Sequence, residues 1–117
     1  MQQSLSKLKI SLIQYDVVWE DRNANFSRIE NLINSTETDL VLLPEMFPSG
    51  FSMNVEKIAE KPFGESFHWM MNVAKTKKAA IAGSVSTKES DKYFNRFYFI
   101  APEGLSLIHI SEPTRRY

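Results

Sequence analysis

Leu40-Val41-Leu42-Leu43-Pro44-Glu45-Met46-Phe47 runs from four consecutive aliphatic residues straight into a lone carboxylate. A short apolar run of this kind, introduced by Asp39, describes a strand covered on both faces, as in parallel sheets. A carboxylate at the end of such a strand is costly unless it has a partner or a task. Pro48-Ser49-Gly50-Phe51 follows with turn chemistry, since proline presets one dihedral and glycine permits a positive one. Glu45 therefore opens an irregular loop at the carboxyl end of a strand, where α/β proteins build their sites.

Working outward, Lys9-Ile10-Ser11-Leu12-Ile13-Gln14 reads as a buried strand beginning near Leu8. Asp21 is placed to cap a helix whose apolar residues Phe26, Ile29, Leu32 and Ile33 recur at helical spacing, with Asn34-Ser35-Thr36 ending it. Strand, helix and strand together predict a crossover between parallel strands. Downstream, Phe67, Met70, Met71 and Ala74 mark the core face of a second helix from about Glu65 to Lys78. Lys75, Lys77 and Lys78 crowd its last turn, where positive charge meets the negative end of the helix dipole. Ala79 to Val85 is a third strand, Glu89-Ser90-Asp91-Lys92 a polar turn, and Phe94 to Ile100 a fourth strand ended by Pro102-Glu103-Gly104. The fold class expected is α/β, with about four strands and two helices.

A chain of 117 residues has room for one domain, and 14 basic against 14 acidic residues argue against a nucleic-acid partner. The chain contains no cysteine, which excludes a disulfide framework and a thiolate metal site, and His68 and His109 have no matching ligand cluster nearby. The stretch Met1 to Lys7 lacks a long apolar segment, and no run reaches the ~20 apolar residues of a membrane span. The expectation is a cytoplasmic protein whose partner is a small molecule or another protein, with no membrane and no metal.

Beyond Gly104 the character changes. Leu105-Ser106-Leu107-Ile108-His109-Ile110-Ser111-Glu112-Pro113-Thr114-Arg115 resembles the translation of a transposase-type sequencing adaptor. Residues 105–117 are therefore expected to be a non-native tail, and residues 1–104 the domain proper. The alternative is a genuine fifth strand from Leu105 to Ile110.

The strand ending in Leu43-Pro44-Glu45-Met46-Phe47, then Ser49-Gly50-Phe51, Ile81-Ala82-Gly83-Ser84-Val85 and Asn95-Arg96-Phe97, in that order and spacing, resemble the nitrilase superfamily of carbon–nitrogen hydrolases. The resemblance is closest to its omega-amidase branch and covers essentially residues 8–104. It implies the N-terminal part of an α-β-β-α sandwich, which by itself would leave an apolar sheet face uncovered. It also implies a Glu-Lys-Cys mechanism. A Cys thiolate attacks the amide carbon, the Glu moves protons, the Lys stabilises developing negative charge, and ammonia leaves. Glu45 matches the general base. No lysine here matches the family's motif and no cysteine exists, so the chain as written is expected to be inactive.

The implied substrates are small 2-oxo dicarboxylate monoamides, with no metal or organic cofactor and a homo-oligomer when full length. Met46 and Phe47 are candidate substrate-binding residues, with core packing as the alternative. Arg96 either grips a substrate carboxylate or forms a surface ion pair. Ser84 lacks the second glycine of a nucleophile elbow, so a serine hydrolase using Ser84 and His68 is set aside. Another superfamily amidase, carbamoylase or nitrilase, or a non-catalytic α/β binding module, are the competing functions. The absence of glycine from Gln14 to Trp19 speaks against a phosphate-binding module.

Overall fold

The computed structural model describes residues 7–113, apart from the side chains of residues 107–109 and 111. The leader at residues 1–6 and the tail residues 114–117 lie outside the described residues. In chain order the elements are β1 (Ile10–Leu12), α1 (Arg22–Ile33), β2 (Leu40–Leu42), α2 (Val55–Ile58), α3 (Glu65–Lys77), β3 (Ala80–Glu89), β4 (Lys92–Ile100) and β5 (Ser106–Pro113). All five strands form one sheet in the order β1-β2-β3-β4-β5. The first three run parallel, and β4 and β5 are each antiparallel to the strand before.

This is the expected α/β class with one strand and one helix more than anticipated. The extra helix, α2, is a single turn of four residues, too short to carry a periodic signal. The extra strand, β5, lies along β4 from Phe94 to Ile100, within the adaptor-like stretch.

Local signals explain the rest. Asp21 accepts from the Ala24 amide at 3.1 Å, satisfying one of the four unpaired N–H groups that open α1. Phe26, Ile29 and Ile33 of that helix are buried, whereas Leu32, at the margin of the stripe, is 49% exposed. Helix α3 closes on Lys78 in the left-handed conformation. The lysine-rich end of α3 is structural: Lys77 Nζ donates to the carbonyls of Asn34 and Thr36 at 3.3 and 2.8 Å, tying α3 to the end of α1. Ser90 and Asp91, at φ 52° and 62°, make the two-residue turn between β3 and β4, the doubly positive geometry that matches the twist of a hairpin.

Both long helices lie on one face of the sheet. Phe26, Ile29 and Ile33 of α1 and Phe67, Met70, Val73 and Ala74 of α3 form one cluster with Val41, Ile81, Val85, Tyr98 and Ile100 of the strands. Side chains that alternate to the other face meet no layer: Ile10 is 50% exposed, Leu12 72% and Ile110 56%. The sheet is thus helix-covered on one side and open on the other, and Glu45 sits at the end of its second strand on the open side.

Candidate active site

The loop that carries Glu45 is held by buried anchors on both sides. Leu43 N–H continues the ladder to the Ala82 carbonyl at 2.9 Å. Glu45 itself is exposed. The next amide, of Met46, donates to Ser84 Oγ at 2.8 Å. Met46 adopts the left-handed conformation at φ 56°, uncommon for a residue with a Cβ. That kink lets the amides of Ser49 and Gly50 both return to the Met46 carbonyl, at 3.2 and 2.8 Å. Such strain persists only where the surroundings over-determine it.

Those surroundings are visible. Asn25 of α1 is fully buried, donates through Nδ2 to the carbonyls of Val18 and Pro48 at 2.8 Å each, and accepts from the Val18 amide at 2.7 Å. Tyr15 Oη donates to the Phe47 carbonyl at 2.8 Å. Further on, Glu20 accepts from Lys57 Nζ at 2.9 Å and from the Ser52 hydroxyl, and these contacts, that of Lys57 first, hold its carboxyl below the usual carboxylate range.

Burial pushes the Tyr15 phenol up from 10.0 to about 12, against a smaller opposing pull from Arg28, and burial also raises Tyr98. Between those values the folded chain keeps a proton that the unfolded chain has lost, so stability declines as pH rises. The expected result is a urea midpoint that stays level up to about pH 10 and then falls towards about pH 12. In Y15F the fall is shallower; an unchanged alkaline profile in that variant contradicts the assignment.

The sequence candidates separate in space. Glu45 lines an open-face cleft of about 370 Å³ together with Leu43, Gly83, Ser84, Asn95, Phe97, Ile110 and Glu112. Its Oε1 accepts from Asn95 Nδ2 at 3.0 Å.

Met46 and Phe47 do not line the cleft. Phe47 is fully buried, its ring 5.6 Å from Trp69 and 6.4 Å from Phe26, and Met46 is 8% exposed. Arg96 Nη2 pairs with Glu89 at 2.8 Å, although its side chain, 11% exposed, is more enclosed than a surface pair requires. His68 borders a groove between α1 and α3, remote in the fold from the cleft that Ser84 lines.

Three residues gain importance only here. Ser84 serves as the acceptor that fixes the backbone after Glu45. Asn95 is the side-chain partner of Glu45, and its place in the Asn95-Arg96-Phe97 motif is the sequence signal for it. Glu60, buried at 8%, accepts from the Ser66 amide at 2.7 Å, from the Ser66 hydroxyl at 2.5 Å and from Arg22 Nε at 3.1 Å, and had no sequence signal.

Residues 9–111 match the family model of the carbon-nitrogen hydrolases. Over 104 residues the chain is 36% identical to the omega-amidase YafV of Yersinia enterocolitica, covering 88% of this chain and 40% of that protein. It is 28% identical over 102 residues to the 2-oxoglutaramate amidase of Bacillus subtilis, covering 84% of this chain and 39% of that one. Among solved structures, a CN-hydrolase superfamily protein from Xanthomonas campestris with an arsenic adduct in its active site superposes with a TM-score of 0.80 at 33% identity, over 96% of this chain and 42% of that one. The chain thus spans about 40% of the length of the curated relatives it matches. With a family model that spans nearly all the described residues, and with Glu45 held on a braced loop at the end of a parallel strand, this chain belongs to the carbon-nitrogen hydrolase family.

Proposed function

We propose that this chain is the N-terminal part of an omega-amidase-like hydrolase, which when complete cleaves the terminal amide of small 2-oxo dicarboxylate monoamides and releases ammonia. The observation that carries this is the 36% identity to an omega-amidase across the segment containing Glu45. Glu45 acts as the general base, and its exposure at the mouth of a cleft leaves its carboxylate free to reach a substrate proton. Phe47 and Met46, behind it, serve to hold the loop instead of touching the amide. The lysine and the thiolate nucleophile belong to sequence not present here. Residues 105–117 are a non-native tail, and on that basis Ile110 and Glu112 are a substitute for the native wall of the cleft. The complete protein is a cytoplasmic homo-oligomer that needs no metal or organic cofactor.

Two measurements test this. The purified 117-residue chain should release no ammonia from succinamate or glutaramate, because without a thiol no acyl-enzyme forms. The product of the uninterrupted gene should release it, and E45Q in that protein should lower kcat by about 10²–10⁴-fold. Ammonia release by the 117-residue chain, or an undiminished kcat in the variant, overturns the mechanism.

A further inference from the structure

Asn95 lies in β4 opposite Ser86 of β3 and Glu112 of β5. An ionised carboxylate only accepts hydrogen bonds, so the amide nitrogen of Asn95 must face Glu45 and its carbonyl oxygen must turn away. The 3.0 Å contact from Nδ2 to Glu45 Oε1 has this sense. Asn95 Oδ1, on the other side, is buried and has no partner among the described residues, and the same is true of Oγ of its cross-strand neighbour Ser86. With that oxygen enclosed, the amide nitrogen is the end of Asn95 turned to Glu45 and the cleft.

We propose that Asn95 is the positioning residue of this site. Its Nδ2 binds Oε1 of Glu45, so that Oε2 is the oxygen presented for proton transfer. That Glu45 transfers the proton rests on the amidase reading above; its contact with Asn95 does not. The other charged groups near Asn95 on this face are Glu112 across in β5 and Lys88 further along β3, whose ammonium lies 5.7 Å from the centre of the Tyr93 ring. Arg96, the next residue in β4, alternates to the opposite face and pairs with Glu89.

The experiment follows the side-chain amide signals of Asn95 by ¹H–¹⁵N NMR in the full 117-residue chain, assigned by their disappearance in N95D. These signals should move in E45Q, an isosteric change at an exposed position that removes the charged acceptor, and stay in place in E112Q. Signals that E45Q leaves in place, or that move in E112Q instead, overturn the positioning role. The amidase reading is tested separately, by ammonia release from the product of the uninterrupted gene, so either can fail alone.

Discussion

Phe47→Ala should cost this chain about 3–5 kcal/mol. The ring is fully buried and packs against Phe26 and Trp69, which themselves stack at 4.5 Å. It also fills space that β3 leaves open for it. A Cβ at Gly83 would lie 2.9 Å from Phe47 Cδ1 and 3.1 Å from Leu43 Cβ, too close for either to stay in place. Gly83→Ala alone should therefore cost about 1–3 kcal/mol through overpacking. In the double variant the added methyl meets a cavity instead of a ring. The two losses should then fall short of additivity by more than about 0.5 kcal/mol, the limit for independent sites. Urea denaturation of the two single variants and the double variant measures this. Strict additivity would mean that Gly83 is not there to admit the ring. Because Phe47 lies two residues after Glu45, F47A should also release the loop that presents the carboxylate.

Glu60→Ala should be nearly as damaging, at about 3 kcal/mol. Its carboxylate accepts both the amide and the hydroxyl of Ser66 in the first turn of α3, and it pairs with Arg22 at the start of α1. Its backbone is bound to β3 as well, since its amide donates to the Ser86 carbonyl at 2.9 Å and its carbonyl accepts from Lys88 at 2.8 Å. One residue thus joins both helix starts to the sheet. Removing one partner of a buried ion pair costs about 3–5 kcal/mol. Arg22, at 30% exposure, can recover some hydration, which places the expected loss at the low end. Arg22→Ala should cost less than E60A, because it leaves the Ser66 bonds in place. Equal losses, or an E60A variant within 0.5 kcal/mol of the parent on the scale of ordinary surface substitutions, would show that the cluster does not anchor α3.

The parts of the fold that were readable beforehand depend on short-range regularities. The aliphatic run at Leu40–Leu43, the Asp21 cap with the Phe26, Ile29, Ile33 stripe, and the polar turn at Ser90-Asp91 each declare themselves within one turn of helix or a few strand residues. The order of the motifs around Glu45, Gly83 and Asn95 was enough to indicate the family. The parts that were not readable depend on distance along the chain. Whether Phe47 faces a pocket or the core cannot be settled by alternation, because alternation has no meaning once the chain leaves β2 for a kinked loop. Glu60 carries no local signal in the sequence; its burial comes from Arg22 of α1 and Ser66 of α3 packing on it.

What the sequence determined by itself, then, is the set of local elements, the α/β class, the family and the place of a carboxylate, Glu45, just after the second strand. Only the tertiary structure decided what holds that carboxylate. Asn95 is 50 residues from Glu45 along the chain, and Ser84 is 38 from the amide that follows it. Both contacts exist because the parallel register of β2 on β3 and the antiparallel register of β3 on β4 bring the end of β2 to the same cleft as the middle of β3 and β4. Register is a property of strands already paired, and no local preference of a single segment encodes it.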